Sequence, residues 1–167
     1  MSRWMAAGPF ALAALLGAST SAAQSGAPVA APIGFASATE IAAAIGQMEA
    51  EMKPAQGFLW RPLVRGDGSV AALEYWKKPG RPAVHPNEAE YAIVVAGAGT
   101  LVMDGRLRDP IVTRPGLTEG SAIEDGTSRA LHPGDVMLIP AGVPHWFGVD
   151  GGKLVLLGIK LVPQPSS

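Results

Sequence analysis

From Phe58 onward the chain alternates short runs of β-branched and aromatic residues with turn-forming glycine and proline. Such runs predict β-strands at 58–64, 69–77, 89–96, 100–104, 136–139, 145–149 and 153–161. Hairpin-type dipeptides occur between or beside them, namely Asp67-Gly68, Asp104-Gly105, Asp125-Gly126 and Asp150-Gly151. Gly97-Ala98-Gly99 permits a sharp corner, and the turn-rich stretch 106–124 predicts a long loop or an irregular hairpin at one barrel end. The pattern favours an all-β, antiparallel sandwich or barrel.

Before these strands, one segment has the pattern of a helix. Ser37 and Glu40 have the spacing of a capping box. An apolar stripe follows at helical spacing, at Ile41, Ile45, Met48 and Met52. Pro54 is expected to end the helix. The sequence therefore predicts one short N-terminal helix over about 38–53, whose methionines pack into a core.

The first 36 residues have a different character. Arg3, an apolar run over 6–18 and the small residues Ser21-Ala22-Ala23 follow the three-part pattern of a secretory signal peptide. The run is shorter than the roughly 20 residues that a membrane-spanning helix needs. We expect a signal peptide at 1–23, a flexible linker rich in Ala, Pro, Gly and Ser at 24–36, and the barrel domain at 37–167. The expected location is periplasmic or secreted, with no membrane association after cleavage.

Composition narrows the function classes. A chain of 167 residues with 48% hydrophobic and 16% charged residues can form one domain with a substantial core. The net charge is −1 and no long basic run exists, which argues against nucleic-acid binding. Cysteine is absent, which excludes disulfides, thiolate metal ligands and a cysteine nucleophile.

The most informative motif lies near the C-terminus, over 134–145. Gly134 is followed after five residues by Pro140, after one more by Gly142 and after two more by His145. This pattern predicts a strand, a tight turn and then a histidine at the start of the next strand, directed to the concave face of the sheet. Alternation along that strand places Phe147 on the same face.

A second motif admits two alignments. Glu90 and Gly97 are separated by six residues, and four residues separate His85 from Glu90. In the preferred alignment His85 is the second histidine of a His-x-His pair whose first position is Ala83. In the rival alignment His85 is the first histidine and Asn87 holds the second position. Glu88 is a further candidate carboxylate because it is close in sequence.

On these two motifs, the chain resembles a single-domain member of the cupin superfamily over 58–162, and more narrowly a group of small secreted bacterial cupins. The resemblance implies an antiparallel cupin jelly-roll β-barrel, a small-molecule ligand or substrate, and a divalent metal held by His85, Glu90 and His145. Ala83 and Val149 depart from the family pattern, which usually has His and Asn there. Small cupins often form homodimers, and we expect one here.

Two imidazoles and a carboxylate can hold Fe, Mn, Zn, Ni or Cu and leave coordination positions open. The donor set does not select one metal. Three hypotheses remain open at this point: a metal-dependent enzyme acting on a small oxygenated compound, a metal-free ligand-binding barrel, and a scaffolding barrel without catalysis. The remaining histidine, His132, lies beside Pro133-Gly134 and is interpreted as an exposed loop residue.

Overall fold

The computed structural model describes residues 34–66 and 69–161. The expected signal peptide, nearly all of the expected linker and the Asp67-Gly68 turn lie outside the described residues. The elements are α1 (Ala38–Glu51), β1 (Phe58–Gly66), β2 (Ser69–Trp76), β3 (Ala83–Val84), β4 (Ala89–Met103), β5 (Arg106–Arg108), β6 (Ile111–Arg114), β7 (Leu117–Glu119), β8 (Ala122–Glu124), β9 (Thr127–Leu131), β10 (Val136–Ile139) and β11 (His145–Leu161). No helix in this part of the chain is long and apolar enough to cross a membrane.

The single short helix of the prediction is present as α1. It begins at a capping box, in which the Ser37 hydroxyl accepts from the Glu40 backbone N–H and the Glu40 carboxylate accepts from the Ser37 N–H. Met48 and Met52 are buried against a cluster that includes Tyr75 of β2. The helix therefore covers part of one face of the sheet, and its methionines are core residues.

The strands form one curled nine-stranded sheet and a separate two-stranded pair, β5–β8. Every pairing is antiparallel. The central strand β11 pairs with β2 on one side and with β4 on the other, and β4 also pairs with β9 and β10. The all-β antiparallel jelly-roll barrel with one N-terminal helix is confirmed.

Two predicted strand breaks are wrong. The expected strands at 89–96 and 100–104 form one strand, β4, and those at 145–149 and 153–161 form one strand, β11. Asp150-Gly151 is a bulge in β11 opposite Ala98, and no hairpin forms there. Gly97 has φ +78°, and a Cβ on it would lie 2.1 Å from the Lys153 carbonyl oxygen. The glycines at the expected corner therefore let the two long strands bend together without separating.

The stretch 106–124 is an irregular hairpin rather than an unstructured loop. β6 pairs with β7, and the pair β5–β8 encloses them in sequence. Outside this stretch, two further strands were not predicted, β3 and β9. β3 has only two residues, and the first four residues of β9 are all exposed, so neither shows an alternation of apolar and polar positions.

The sheet has two apolar faces with different partners. The outer face packs against α1, with Leu73 and Val155 fully buried there. The inner face of the barrel holds the second cluster, which includes Val94, Phe147 and Leu156. Towards one end of the barrel this inner face becomes polar and opens into a cavity.

Candidate metal centre

The cavity at this end of the barrel has a volume of about 640 Å³. Aromatic side chains form much of its wall: Phe58, Trp60, Trp76, Trp146 and Phe147. The same cavity is lined by the three residues that the sequence nominated as metal ligands, His85, Glu90 and His145. The strand pairing of the barrel thus brings together residues that lie up to 60 positions apart in the sequence.

Each of the three side chains is placed by a strand end. His85 directly follows β3, Glu90 is the second residue of β4, and His145 is the first residue of β11. One potential ligand atom from each residue lies within 4.8 Å of the others. The two imidazole rings are stacked with centroids 5.5 Å apart. This spacing is compatible with three ligands of a single ion.

The imidazoles are oriented by carbonyl groups outside the cluster. Nδ1 of His145 lies 3.1 Å from the Val143 carbonyl oxygen, and Nδ1 of His85 lies 3.3 Å from that of Gly116. An Nδ1–H that donates to a carbonyl leaves Nε2 with a free lone pair. Burial lowers the pKa of both imidazoles below the ordinary value. Burial therefore favours the neutral imidazole, the state in which histidine binds metal.

Glu90 is buried, with 3% of its surface exposed. Its Oε2 accepts a hydrogen bond from Nζ of Lys160 at 2.6 Å. Its Oε1 has no hydrogen-bond partner among the described residues. A buried carboxylate oxygen without a partner is costly, and a cation beside it would remove that cost. Two imidazoles and a buried carboxylate with an oxygen unpartnered among the described residues fit a divalent metal ion.

The residues on which the two sequence alignments differ lie in different settings. Ala83 lines the cavity and pairs with His145 across the strands β3 and β11. Asn87 is exposed and lies outside the cavity lining, so the rival alignment gains no support. Glu88 lines the cavity with a side chain that is 39% exposed, and its Oε2 lies 3.9 Å from Nδ1 of His85. Glu88 therefore lies on the Nδ1 side of the His85 ring.

His132 and Phe147 lie in different parts of the structure. The His132 side chain is 71% exposed and lies 3.8 Å from Asp135, away from the cavity. Phe147 lines the cavity, with its ring 6.0 Å from that of His145 in an edge-on arrangement. Phe147 thus limits the space beside His145.

Five charged residues of the cavity were not predicted from the sequence, and two of them lie on long strands beside Glu90, namely Glu74 on β2 and Lys160 on β11. A Cβ placed on Gly158 would lie 3.0 Å from Oε1 of Glu90 and 3.2 Å from Oε1 of Glu74, so both oxygens border the space above this glycine. Burial, and then the Glu90 carboxylate, raise the pKa of Glu74 to about 7. The available signal was a charged residue within a largely apolar run of each strand, but which face of each strand would line the cavity was not known.

The chain was compared with known proteins. A family model described as Cupin matches residues 62–159. No curated protein matches the chain in sequence. Among solved structures, it is similar to KdgF from Halomonas sp. (15% identity, TM-score 0.49, 68% of this chain and 87% of that one). It is also similar to a cupin superfamily protein from Desulfitobacterium hafniense DCB-2 (18% identity, TM-score 0.45, 68% and 84%). The matched family region covers more than half of the chain and contains all three candidate ligands.

Proposed function

The chain belongs to the cupin family, and from that premise we propose that its barrel binds one divalent first-row metal ion through His85, Glu90 and His145. The observation that carries the proposal is that Glu90, a buried acid whose Oε1 has no partner among the described residues, offers a carboxylate oxygen within 4.8 Å of ligand atoms of two imidazoles. Such a donor set suits Fe, Mn, Zn, Ni or Cu. It provides three protein ligands, which leaves positions for water or for a ligand molecule.

We further propose that the cavity takes a small molecule with an oxygen-bearing group directed towards the three ligands. The aromatic wall would contact the apolar part of such a molecule and exclude water. When bound, the metal would act as a Lewis acid towards that oxygen or as a centre for O₂ chemistry. Glu74, whose pKa is near neutral, could accept or donate a proton at its carboxyl.

A metal-free ligand-binding or scaffolding barrel is the second candidate. The observation that favours it is Ala83, which lines the cavity where the family resemblance places a further histidine. With one imidazole fewer, the affinity for metal is lower than in a four-ligand site. The two candidates differ in metal content and share the same cavity.

The test is elemental analysis of native, tag-free protein purified without chelators and without oxygen. We expect about one equivalent of a divalent first-row metal in the wild type, most of which is lost in His145→Ala and His85→Ala. His132→Ala is the matched control and should retain the metal, because its ring lies outside the cavity. Equal metal content in all three variants would contradict the site. A metal-free wild type would favour the second candidate.

The predicted export is part of the proposal. Cleavage after Ala23 would give a mature chain that begins at Gln24 in the periplasm or outside the cell. The intact mass of the protein from the producing cell measures this directly. A full-length chain in the soluble cytoplasm would contradict it.

We also propose a homodimer. In the described part of the chain β10 pairs only with β4, and the exposed side chains on this edge include Tyr91, Val136 and Leu138. An exposed apolar strand edge is usually covered in a stable protein. Light scattering at micromolar concentration should give twice the mass of the mature chain, and a monomer would count against this proposal.

A further inference from the structure

Lys160 forms an ion pair with Glu90, the acidic residue of the candidate metal group. It lies directly opposite Glu90 in the pairing of β11 with β4. Its Nζ donates a hydrogen bond to Oε2 of Glu90 at 2.6 Å. Among the described residues, Glu90 forms no other ion pair. The Glu90 side chain is 4% exposed and that of Lys160 is 34% exposed. The lysine therefore reaches from the partly open side of the cavity to a buried carboxylate.

The hydrogen bond from Lys160 affects the orientation of the Glu90 carboxylate. A charge-assisted hydrogen bond to one oxygen restrains the orientation of the carboxylate. The other oxygen, Oε1, has no hydrogen-bond partner among the described residues, and Glu90 lines the same cavity as the two histidines. Without Lys160, both oxygens of Glu90 would lack a hydrogen-bond partner in the described part of the chain, and the side chain would be free to rotate.

A second acid makes this pairing more important. Oε1 of Glu74 borders the same space above Gly158 as Oε1 of Glu90. Two carboxylates that share a buried site do not both ionise readily. The ammonium group of Lys160 donates to Glu90 and offsets the repulsion between the two acids.

We propose that Lys160 is a positioning residue of the metal group, which holds Oε2 of Glu90 and so orients this carboxylate towards an ion shared with His85 and His145. This inference rests on the proposed function. The expected effect of removing Lys160 on metal affinity is opposite in sign to the effect of electrostatic repulsion alone. A cation near the site repels a metal ion, so removing the lysine charge would tighten binding if repulsion were its main effect. If Lys160 positions the ligand, removing it weakens binding.

The experiment is a titration of chelator-treated protein with Co²⁺, followed by the visible absorption of the bound ion. Lys160→Met should weaken Co²⁺ binding 10- to 100-fold, the range found for residues that orient metal ligands. The absorption spectrum should also change, because the carboxylate ligand is no longer held. Lys160→Arg keeps a charged donor and should bind within a few-fold of the wild type.

Lys153→Met is the matched control. Lys153 is also on β11 and pairs with an acid at 3.0 Å, but its partner is Glu49 on the outer helix. This variant should bind Co²⁺ like the wild type. If Lys160→Met does not fold, as judged by circular dichroism, Lys160→Gln replaces it and should bind at least about tenfold more weakly than Lys160→Arg.

The outcomes separate the two proposals. Weaker binding and an altered spectrum in Lys160→Met, with wild-type behaviour in Lys160→Arg and Lys153→Met, support the positioning role. Unchanged or tighter binding in Lys160→Met overturns it and leaves the metal site intact. A wild type that binds no Co²⁺ overturns the metal site itself, and the positioning role with it.

Discussion

The buried acid Glu74 offers a stability prediction that follows from the fold and is independent of any ligand. In the folded protein its pKa is raised from 4.5 to about 7, first by burial and then by the charge of Glu90. A raised pKa means that the folded state favours the protonated carboxyl. The contribution of this group to stability is therefore fully present below about pH 4.5 and is lost as the pH rises through about 7.

The magnitude follows from the size of the shift. One pKa unit corresponds to about 1.4 kcal/mol, so the shift is equivalent to about 3 kcal/mol in the free energy of unfolding. Replacing Glu74 by Gln removes the ionisation while keeping a polar group of similar shape. We expect Glu74→Gln to be about 2–3 kcal/mol more stable than the wild type at pH 8 and nearly equal to it at pH 4.5.

The assay is urea unfolding of metal-free wild type and variant, at pH 4.5 and pH 8, followed by tryptophan fluorescence. Glu88→Gln serves as the control, because it changes another acid of the same cavity whose side chain is 39% exposed. A control variant with the same pH-dependent gain would show that general charge is responsible. A Glu74→Gln variant that is no more stable than the wild type at pH 8 would refute the reasoning.

Three further predictions concern the site and the two long strands. Ala83→His adds an imidazole opposite His145 and should tighten metal binding by at least about tenfold in calorimetric titration, equivalent to about 1.4 kcal/mol. Unchanged affinity would show that position 83 does not face the ion. Gly99→Ala places a Cβ 2.3 Å from a backbone carbonyl oxygen and should lower stability by about 1–3 kcal/mol in thermal unfolding, whereas Gly66→Ala, with open space around it, should not. Because burial lowers the pKa of His85 and His145, NMR titration of the metal-free protein should give midpoints below 6.5 for both, and their contribution to stability should decrease as the pH falls below that value, opposite in sign to that of Glu74.

The parts of the fold that depend on local chemistry were predictable from sequence. The capping box of Ser37 defines the start of α1 without reference to the rest of the chain. β10 occupies the predicted range 136–139, because it is a short apolar run bounded by turn residues. The turn over 140–144 delivers His145 to the start of β11, as its Pro and Gly spacing indicated.

The parts that depend on pairing between distant strands were not predictable. Asp150-Gly151 has the sequence of a hairpin turn, but the glycines of β4 opposite it allow a bulge in a continuous strand. The same limit applied to the site. Glu74 and Lys160 lie in apolar strands, and they become cavity residues only because both strands turn these positions inward. No local pattern carries that information.

The central claim is that His85, Glu90 and His145 share one metal ion, and locating the ion tests it most directly. The measurement is a crystal structure of the metal-loaded protein, with an anomalous difference map recorded at the absorption edge of the metal found by elemental analysis. We expect one strong peak in the cavity, about 2.0–2.2 Å from a nitrogen of each imidazole and from a carboxylate oxygen of Glu90. A peak elsewhere, or full loading without a peak between these three residues, would contradict it.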